Sequence, residues 1–262
     1  FYERPSQPLA EWPDVPGVIA GRDLQAGGTW LGVGPGGRFA ALTNIRDPHQ
    51  PPARKSRGEL VARFLSGSLP IDEYLADVNG RSIEYAGFNL LVGTREALWH
   101  YNANDTEPTQ LKPGVYGLSN AGLDTPWPKV LKAKAALSAV LDDPQPARLL
   151  GLLSDAQTAP FADLPDTGVG LATESLLSSV FIASPGYGTR ASTALIVNAD
   201  GELGMSRDIK RLRAAVPAAN VVTGSYTINA DFNPDQVSGD TTPPAAVRLW
   251  QAGCPVPAWS RP

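Results

Sequence analysis

Residues 27–47 read GGTWLGVGPGGRFAALTNIRD and predict an antiparallel β-hairpin. Two apolar runs, residues 29–33 and residues 38–45, flank the segment GPGG. Glycine-rich segments of this length are typical of the turn between two paired strands. Antiparallel strand pairs are therefore expected to form the framework of the fold.

Four helices are predicted after this hairpin. Residues 57–67 place apolar side chains at helical spacing and end on Gly67, and residues 71–78 predict a second short helix. Residues 125–143 predict the clearest helix, entered through two prolines, and residues 146–156 predict the fourth. The expected apolar face of the 125–143 helix consists of Val130, Leu131, Ala135, Leu137, Val140 and Leu141.

Strand character returns in three further segments: residues 87–105 contain two apolar runs, residues 114–122 one short run, and residues 178–208 three runs. Strand pairs thus alternate with helix pairs. This order predicts an α+β fold, a four-layer αββα sandwich with two sheets face to face and helices outside. From residue 210 the chain is rich in Pro, Asp, Gly and Thr. We therefore expect a domain over 1–209 and an irregular tail over 210–262.

Composition excludes several classes of function. The formal net charge is -4 and the pI is about 5.2, which argues against nucleic acid or an anionic membrane as partner. The basic cluster in residues 51–59 is interpreted as the solvated entry to a helix. No apolar run reaches the roughly 20 residues that span a bilayer, and no signal peptide is recognised. The single Cys254 suits a reducing compartment, so a cytoplasmic location is expected.

Common catalytic and metal-binding motifs are absent from the sequence. The segment GVGPGG lies inside a hairpin, which favours a turn over a dinucleotide-binding loop. His49 and His100 are the only histidines, too few for a histidine-based metal site or catalytic triad. No metal is predicted, and Cys254 is not expected to act as a nucleophile.

Three polar residues stand where predicted strands begin or end. Asn44 closes FAALTN, Asn120 closes YGLSN, and Arg190 opens TRASTALIV after PGYG. Asparagine amides can donate to a carbonyl oxygen that gains negative charge, and an arginine can hold a carboxylate. A shared site is one interpretation. The alternative is that the asparagines serve turns and the arginine caps a hairpin.

Eight short motifs together resemble the NRDE family. In chain order they are FYERPSQPL, GGTWLG, FAALTN, RGELV, GFNLL, YGLSNA, TPWPKV and PGYGTRAST, between Phe1 and about Arg207. The resemblance implies an N-terminal-nucleophile-hydrolase-like αββα fold. Family members begin with Met-Cys, a strand and an Asn-Arg-Asp-Glu motif, and this sequence resumes at the Phe that follows that motif.

The resemblance also implies roles for single residues. Asn44, Asn120 and Arg190 look like the oxyanion or substrate-positioning residues that follow the cysteine nucleophile in such enzymes. The predicted ligand-binding residues are Thr43, Asn120, Tyr187 and Arg190. Because the nucleophile would lie upstream of Phe1, the chain as given is expected not to hydrolyse amides.

Three functions remain open at this point. The favoured one is a hydrolase-like pocket that handles haem, as in the intracellular haem trafficking linked to the family, or an acyl or lipid-type ligand. Haem would be a carried ligand that touches aromatic residues such as Trp30, Trp99, Trp127 and Tyr187, and no resident cofactor is expected. The alternatives are a cysteine N-terminal-nucleophile amidohydrolase acting on an acylated small molecule, and a partner-binding domain with a vestigial cleft. The sequence leaves the oligomeric state open.

Overall fold

The computed structural model describes residues 1–50 and 53–197, together with the backbone of residues 203–209. Within these ranges the chain forms nine strands and five α-helices. No helix among the described residues has the length and apolar character needed to cross a bilayer. The predicted boundary at 209/210 and the tail lie outside the described residues, so they stay predictions.

Seven strands form one antiparallel sheet in which each strand pairs with the next in the chain. They are β1 Ser6–Glu11, β2 Ile19–Asp23, β3 Leu31–Gly34, β4 Arg38–Asn44, β5 Phe88–Gly93, β6 Leu98–Asn102 and β7 Thr109–Leu111. The predicted hairpin is confirmed: β3 pairs with β4 from Leu31↔Ala41 to Gly34↔Arg38. Its turn needs glycine because Gly36 and Gly37 have φ values of 70° and 76°.

The five helices are α1 Gly58–Ser66, α2 Ile71–Gly80, α3 Pro128–Ser138, α4 Pro146–Leu152 and α5 Leu171–Leu177. The first four occupy the segments predicted to be helical. α5 was not predicted. Helix α3 ends at Ser138, so its predicted apolar face is only partly right: Val130 and Leu137 are buried, whereas Leu131 and Leu141 are exposed.

Helix α1 lies directly on β3, and two glycines permit this approach. A Cβ atom on Gly34 would lie 2.3 Å from the carbonyl oxygen of Leu65, and one on Gly28 would lie 2.4 Å from the carbonyl carbon of Gly58. Neither position can therefore carry a side chain without moving backbone. The glycines of residues 27–37 thus allow both the turn and the helix-on-sheet contact.

The two faces of β4 pack against different parts of the molecule. Ala40 and Leu42 belong to the core cluster that contains the buried residues of α1 and α2. Phe39 and Ala41 belong to a second cluster that contains Leu195. Alternate residues of a strand point to opposite faces, so the helices and the segment around Leu195 cover opposite faces of the sheet.

The remaining strands, β8 Ala191–Val197 and β9 Leu203–Ile209, form a separate antiparallel pair. Leu195 of β8 packs with the seven-stranded sheet, whereas its neighbour Ala194 packs with Leu137 of α3 and Leu149 of α4. The predicted α+β class is confirmed as a mixed fold with antiparallel sheets and five described helices. The predicted hairpin turn at 198–202 lies outside the described residues.

Two predicted strands are wrong. Residues 114–122 contribute only the isolated bridge Leu118↔Leu123, and the segment before PGYG only Ala183↔Gly188. In the first case side chains replace a neighbouring strand as hydrogen-bond partners. The Asp124 carboxylate accepts from the backbone N–H of Gly117 at 2.7 Å, and the Thr43 hydroxyl donates to the carbonyl of Ser119 at 2.7 Å.

Three strands were not predicted: β1, β2 and β7. β1 contains Pro8 and lies at the edge of the sheet, where proline is tolerated. β2 ends on Asp23, which is 1% exposed and paired with Arg4. The observed order, with four strands before the first helix pair, therefore differs from the predicted alternation of strand pairs and helix pairs.

Candidate functional site

A cleft of about 860 Å³ opens where the end of β4 meets the start of α1, the side of α3 and the loop before β8. Four of the predicted site residues line it: Thr43, Asn44, Asn120 and Tyr187. Residues from distant parts of the sequence are thus brought together, as expected of strand and loop ends that share one edge. Clefts of this size hold small organic ligands in many proteins.

The polar end of β4 is tied to the loop that carries Asn120. The Asn120 amide nitrogen donates to the carbonyl of Asn44 at 3.0 Å, and the backbone N–H of Arg46 donates to the carbonyl of Asn120 at 2.7 Å. The Thr43 hydroxyl donates to Ser119 in the same loop. These contacts fix the cleft wall, and they occupy the Asn120 amide in this structure.

A buried polar network supports this wall from below. The Asn89 side chain is fully buried, and its amide donates to the carbonyl of Ala121 at 2.5 Å and to the Thr43 hydroxyl at 3.2 Å. Its oxygen accepts from Asn102 at 2.9 Å and lies 3.1 Å from Nε2 of His100. Burial lowers the pKa of His100. His100 is therefore a buried residue of the core, and its Nε2 is occupied by the contact with Asn89.

Arg190 lies behind the cleft and is not among the residues that line it. Its side chain is buried, and Nη1 donates to the carbonyls of Phe1 at 3.0 Å and Arg4 at 2.9 Å. The ring of Phe1 meets the ring of Tyr187 edge to face, with centroids 5.4 Å apart, at the cleft. Arg190 thus holds the first residues of the described chain beside the site, and its contact with a ligand stays a prediction.

Cationic side chains gather at the cleft although the whole chain is acidic. Among the described residues, the cleft lining contains six cations and one acid, Asp47. The six cations are Arg4, Arg54, Lys55, Arg57, Lys129 and Lys134. Three of these cations are neutralised: Arg4 by Asp23, Lys55 by Glu84 and Lys134 by Asp124.

Arg57 differs from those three paired cations. It is partly buried at the start of α1, and its Nη1 donates to the carbonyl of Gly87 at 2.9 Å. No carboxylate of the described chain pairs with it, and burial lowers its pKa. The rest of its guanidinium group can therefore donate to an anion in the cleft. The interpretation of residues 51–59 as a solvated entry to a helix missed this placement.

Lys129 also lacks a bonded carboxylate in the described part of the chain, as does the exposed Arg54. Its Nζ donates to the carbonyl of Leu177 at 3.0 Å. Burial and the nearby Arg46 lower its pKa to about 7, and Glu174 partly offsets this effect. Arg46 and Glu174 form a buried ion pair beside it. No sequence signal distinguished Lys129 from the other lysines of α3.

The cleft that holds these charges also has an apolar wall. It includes Trp30, Leu42, Leu118, Val130, Leu137, Leu153, Val180 and Ile182. Burying an alkyl chain or an aromatic ring on such a wall is favourable because water is released from apolar surface. The cleft thus combines apolar surface with unneutralised positive charge.

The described residues contain no group of three or more histidine, cysteine or acidic side chains that could hold a metal ion. His49 is exposed in its loop and does not line the cleft. The side chain of Cys254 lies outside the described part of the structure.

Comparison with known proteins agrees with the motif order. The family model described as Transport and Golgi organisation 2 matches residues 1–207. A model of the FlgO protein family matches only residues 187–232, too short a segment to show membership of a second family.

Three curated relatives cover most of the chain. The chain is 35% identical over 226 residues to the Transport and Golgi organization protein 2 homologs of Bos taurus and Homo sapiens, and 32% identical to the Transport and Golgi organization 2 homolog of Mus musculus. Each alignment covers 78% of this chain and 80% of the relative. The resemblance inferred from the motifs is confirmed, and the chain belongs to the Transport and Golgi organisation 2 family, the NRDE family.

Proposed function

We propose that the cleft binds an apolar molecule that carries an anionic group, such as an acyl or lipid carboxylate or haem. The observation that carries this proposal is the position of Arg57, a partly buried guanidinium that no carboxylate of the described chain neutralises, in a cleft that also has an apolar wall. Arginine is suited to this role because its planar fork binds a carboxylate through two hydrogen bonds.

The two parts of such a ligand would contribute differently. The anionic group would bind Arg57, where partial burial strengthens a charge-assisted hydrogen bond. The apolar part would cover side chains such as Leu42, Val130 and Ile182. Each buried methylene contributes about 0.8 kcal/mol, so affinity should rise with chain length until the cleft is full.

Haem fits the same description as a carried ligand: it has an apolar ring system and two propionates. His100, however, is buried and bonded to Asn89, so we do not assign it as an axial ligand. Haem bound here would be held by its propionates and its apolar faces, and we propose no resident cofactor.

The single cysteine supports the further proposal of a cytoplasmic, reducing location.

We also propose that the layers form the four-layer αββα arrangement of N-terminal-nucleophile hydrolases. Support comes from the opposite packing of Ala40 and Ala41 in β4 and of Ala194 and Leu195 in β8.

In the alternative function, an amidohydrolase, Asn44 and Asn120 would stabilise an oxyanion. The Asn120 amide would first have to leave the carbonyl of Asn44. Turnover of N-acyl amino acids that Asn120→Ala abolishes would favour the alternative over a carrier.

Fluorescence titration tests the proposed carrier function. The probe is 11-(dansylamino)undecanoic acid, an alkyl carboxylate whose dansyl emission rises in an apolar site. The variant Arg57→Gln removes the cation and keeps a polar, though shorter, side chain. The matched control is Arg148→Gln, because Arg148 is half exposed, pairs with Asp143 and does not line the cleft.

A charge-assisted hydrogen bond contributes about 1.5–3 kcal/mol, so Arg57→Gln should weaken probe binding by roughly tenfold to a hundredfold. Arg148→Gln should change Kd by less than about twofold. Circular dichroism of both variants would confirm that they fold. Equal affinities of the wild type and a folded Arg57→Gln protein would refute the proposal.

A further inference from the structure

Lys129 occupies an unusual position for a lysine side chain. It lies in the first turn of α3, lines the cleft and is partly exposed there. Its Nζ has one hydrogen-bond partner among the described residues, the carbonyl of Leu177 at 3.0 Å. The ring of Trp127 lies 6.0 Å away.

The charged groups around Lys129 do not favour an ammonium ion. Arg46 repels it, and among the described residues the one acid that acts on it is Glu174. Glu174, however, already accepts from Arg46 and from the N–H and hydroxyl groups of Thr167 at 2.8 Å and 2.5 Å. Its negative charge is therefore largely committed to other donors.

These conditions lower the pKa of Lys129 to about 7. About half of the molecules then carry a neutral amine near neutral pH, whereas an ordinary lysine with a pKa of about 10.4 is almost entirely protonated. Only the neutral amine has the lone pair that attacks an electrophilic carbon. Desolvated lysines in clefts are activated as nucleophiles in this way.

We propose that Lys129 is a carbonyl-reactive site that captures apolar aldehydes or ketones entering the cleft as imines. The amine nitrogen adds to the carbonyl carbon and forms a carbinolamine. The carbonyl oxygen then leaves as water with both hydrogens of the original amine, and a C=N bond remains. The reaction needs no oxidant or reductant and is reversible by water. It goes beyond the proposed carrier function, because it depends on the cleft and Lys129 but not on Arg57.

The other described lysines provide an internal comparison. Lys55, Lys132 and Lys134 are paired with Glu84, Asp155 and Asp124. Lys112 is exposed and does not line the cleft. Modification that depends on the cleft should therefore concentrate on Lys129.

The test is reductive trapping of the full chain with octanal and cyanoborohydride, followed by peptide mapping. Near neutral pH we expect Lys129 to be modified at least about tenfold faster than Lys112. Its rate should level off above about pH 7, whereas the rates at surface lysines should keep rising toward about pH 10. Lys129→Arg replaces the amine with a guanidinium that stays protonated and should abolish the main adduct. Lys112→Arg is the matched control and should leave the Lys129 adduct unchanged.

Equal modification of Lys129 and Lys112, or rates with the same pH profile at both sites, would overturn the inference. Because both sites are read in one wild-type molecule, this result does not depend on whether a variant folds. The outcome is also separable from the carrier proposal: a folded Arg57→Gln protein should lose affinity for the dansyl probe and still form the Lys129 adduct.

Discussion

The buried ion pair between Arg46 and Glu174 should dominate the stability of the region around the cleft. The side chains are 9% and 2% exposed. Glu174 also accepts two hydrogen bonds from Thr167, and the Arg46 guanidinium lies 4.6 Å from the ring of Trp127. The pair thus joins the segment after β4 to helix α5, two parts of the chain far apart in sequence.

Removing one partner should cost far more than removing both. Glu174→Leu leaves the Arg46 guanidinium buried without its counter-charge, and such a loss typically costs about 3–5 kcal/mol. The Thr167 donors lose their acceptor as well. In the double variant Arg46→Met, Glu174→Leu neither charge of the pair stays buried, and replacement of a buried pair by apolar residues is often neutral or stabilising. The double variant should therefore recover most of the lost stability.

Urea unfolding followed by far-ultraviolet circular dichroism measures these free energies. The control variant is Asp14→Asn, which breaks an exposed ion pair with Arg22 and should leave the unfolding midpoint almost unchanged. A cost of less than about 1 kcal/mol for Glu174→Leu, or a double variant that loses as much stability as the two single variants together, would refute this prediction.

Three further predictions concern the core that supports the site. Because burial lowers the pKa of His100, the unfolded state binds its proton first as pH falls below about 6.5. The free energy of unfolding should therefore decrease as the pH is lowered through that window. If the unfolding free energy of a His100→Gln protein, measured by urea unfolding, depended on pH as strongly as that of the wild type, this prediction would be contradicted. Gly34→Ala forces a Cβ to within 2.3 Å of the Leu65 carbonyl oxygen and should cost about 1–3 kcal/mol in urea unfolding. A Cβ on Gly80 has no neighbour within 4 Å, so Gly80→Ala should stabilise the protein by about 0.4–1 kcal/mol. Equal changes in unfolding free energy for the two glycine variants would count against the close packing at Gly34. Asn89→Ala should cost at least about 1–3 kcal/mol and speed amide hydrogen exchange in the loop of residues 117–122, whereas unchanged exchange would show that Asn89 does not hold that loop.

The sequence predicted those elements whose cause is local. The hairpin of β3 and β4 follows from glycines between two apolar runs, and α1 follows from helical spacing before Gly67. Helix α5 was missed because it is short and its only buried residue is Glu174, a charged residue that reads as exposed. Its burial depends on Arg46, 128 residues away in sequence, which no local pattern contains.

The candidate site was predicted in part for the same reason. Polar residues at apparent strand ends pointed to Asn44 and Asn120, which line the cleft, and to Arg190, which does not. Thr43 and Tyr187, which also line it, were expected from the family resemblance, and the strand assigned to 114–122 was wrong. Arg57 and Lys129 were missed as site residues. Their identity is plain in the sequence, but their partial burial arises only when distant elements enclose the cleft.

We propose that the cleft recognises an anionic group and an apolar body together. Competition of decanoate and decanol against 11-(dansylamino)undecanoic acid on the wild-type chain tests this claim. The two competitors share one chain length and differ in charge. We expect decanoate to bind at least about tenfold more tightly than decanol, since it alone forms a charge-assisted hydrogen bond. Equal binding of the two competitors, or no displacement of the probe by either, would contradict the claim.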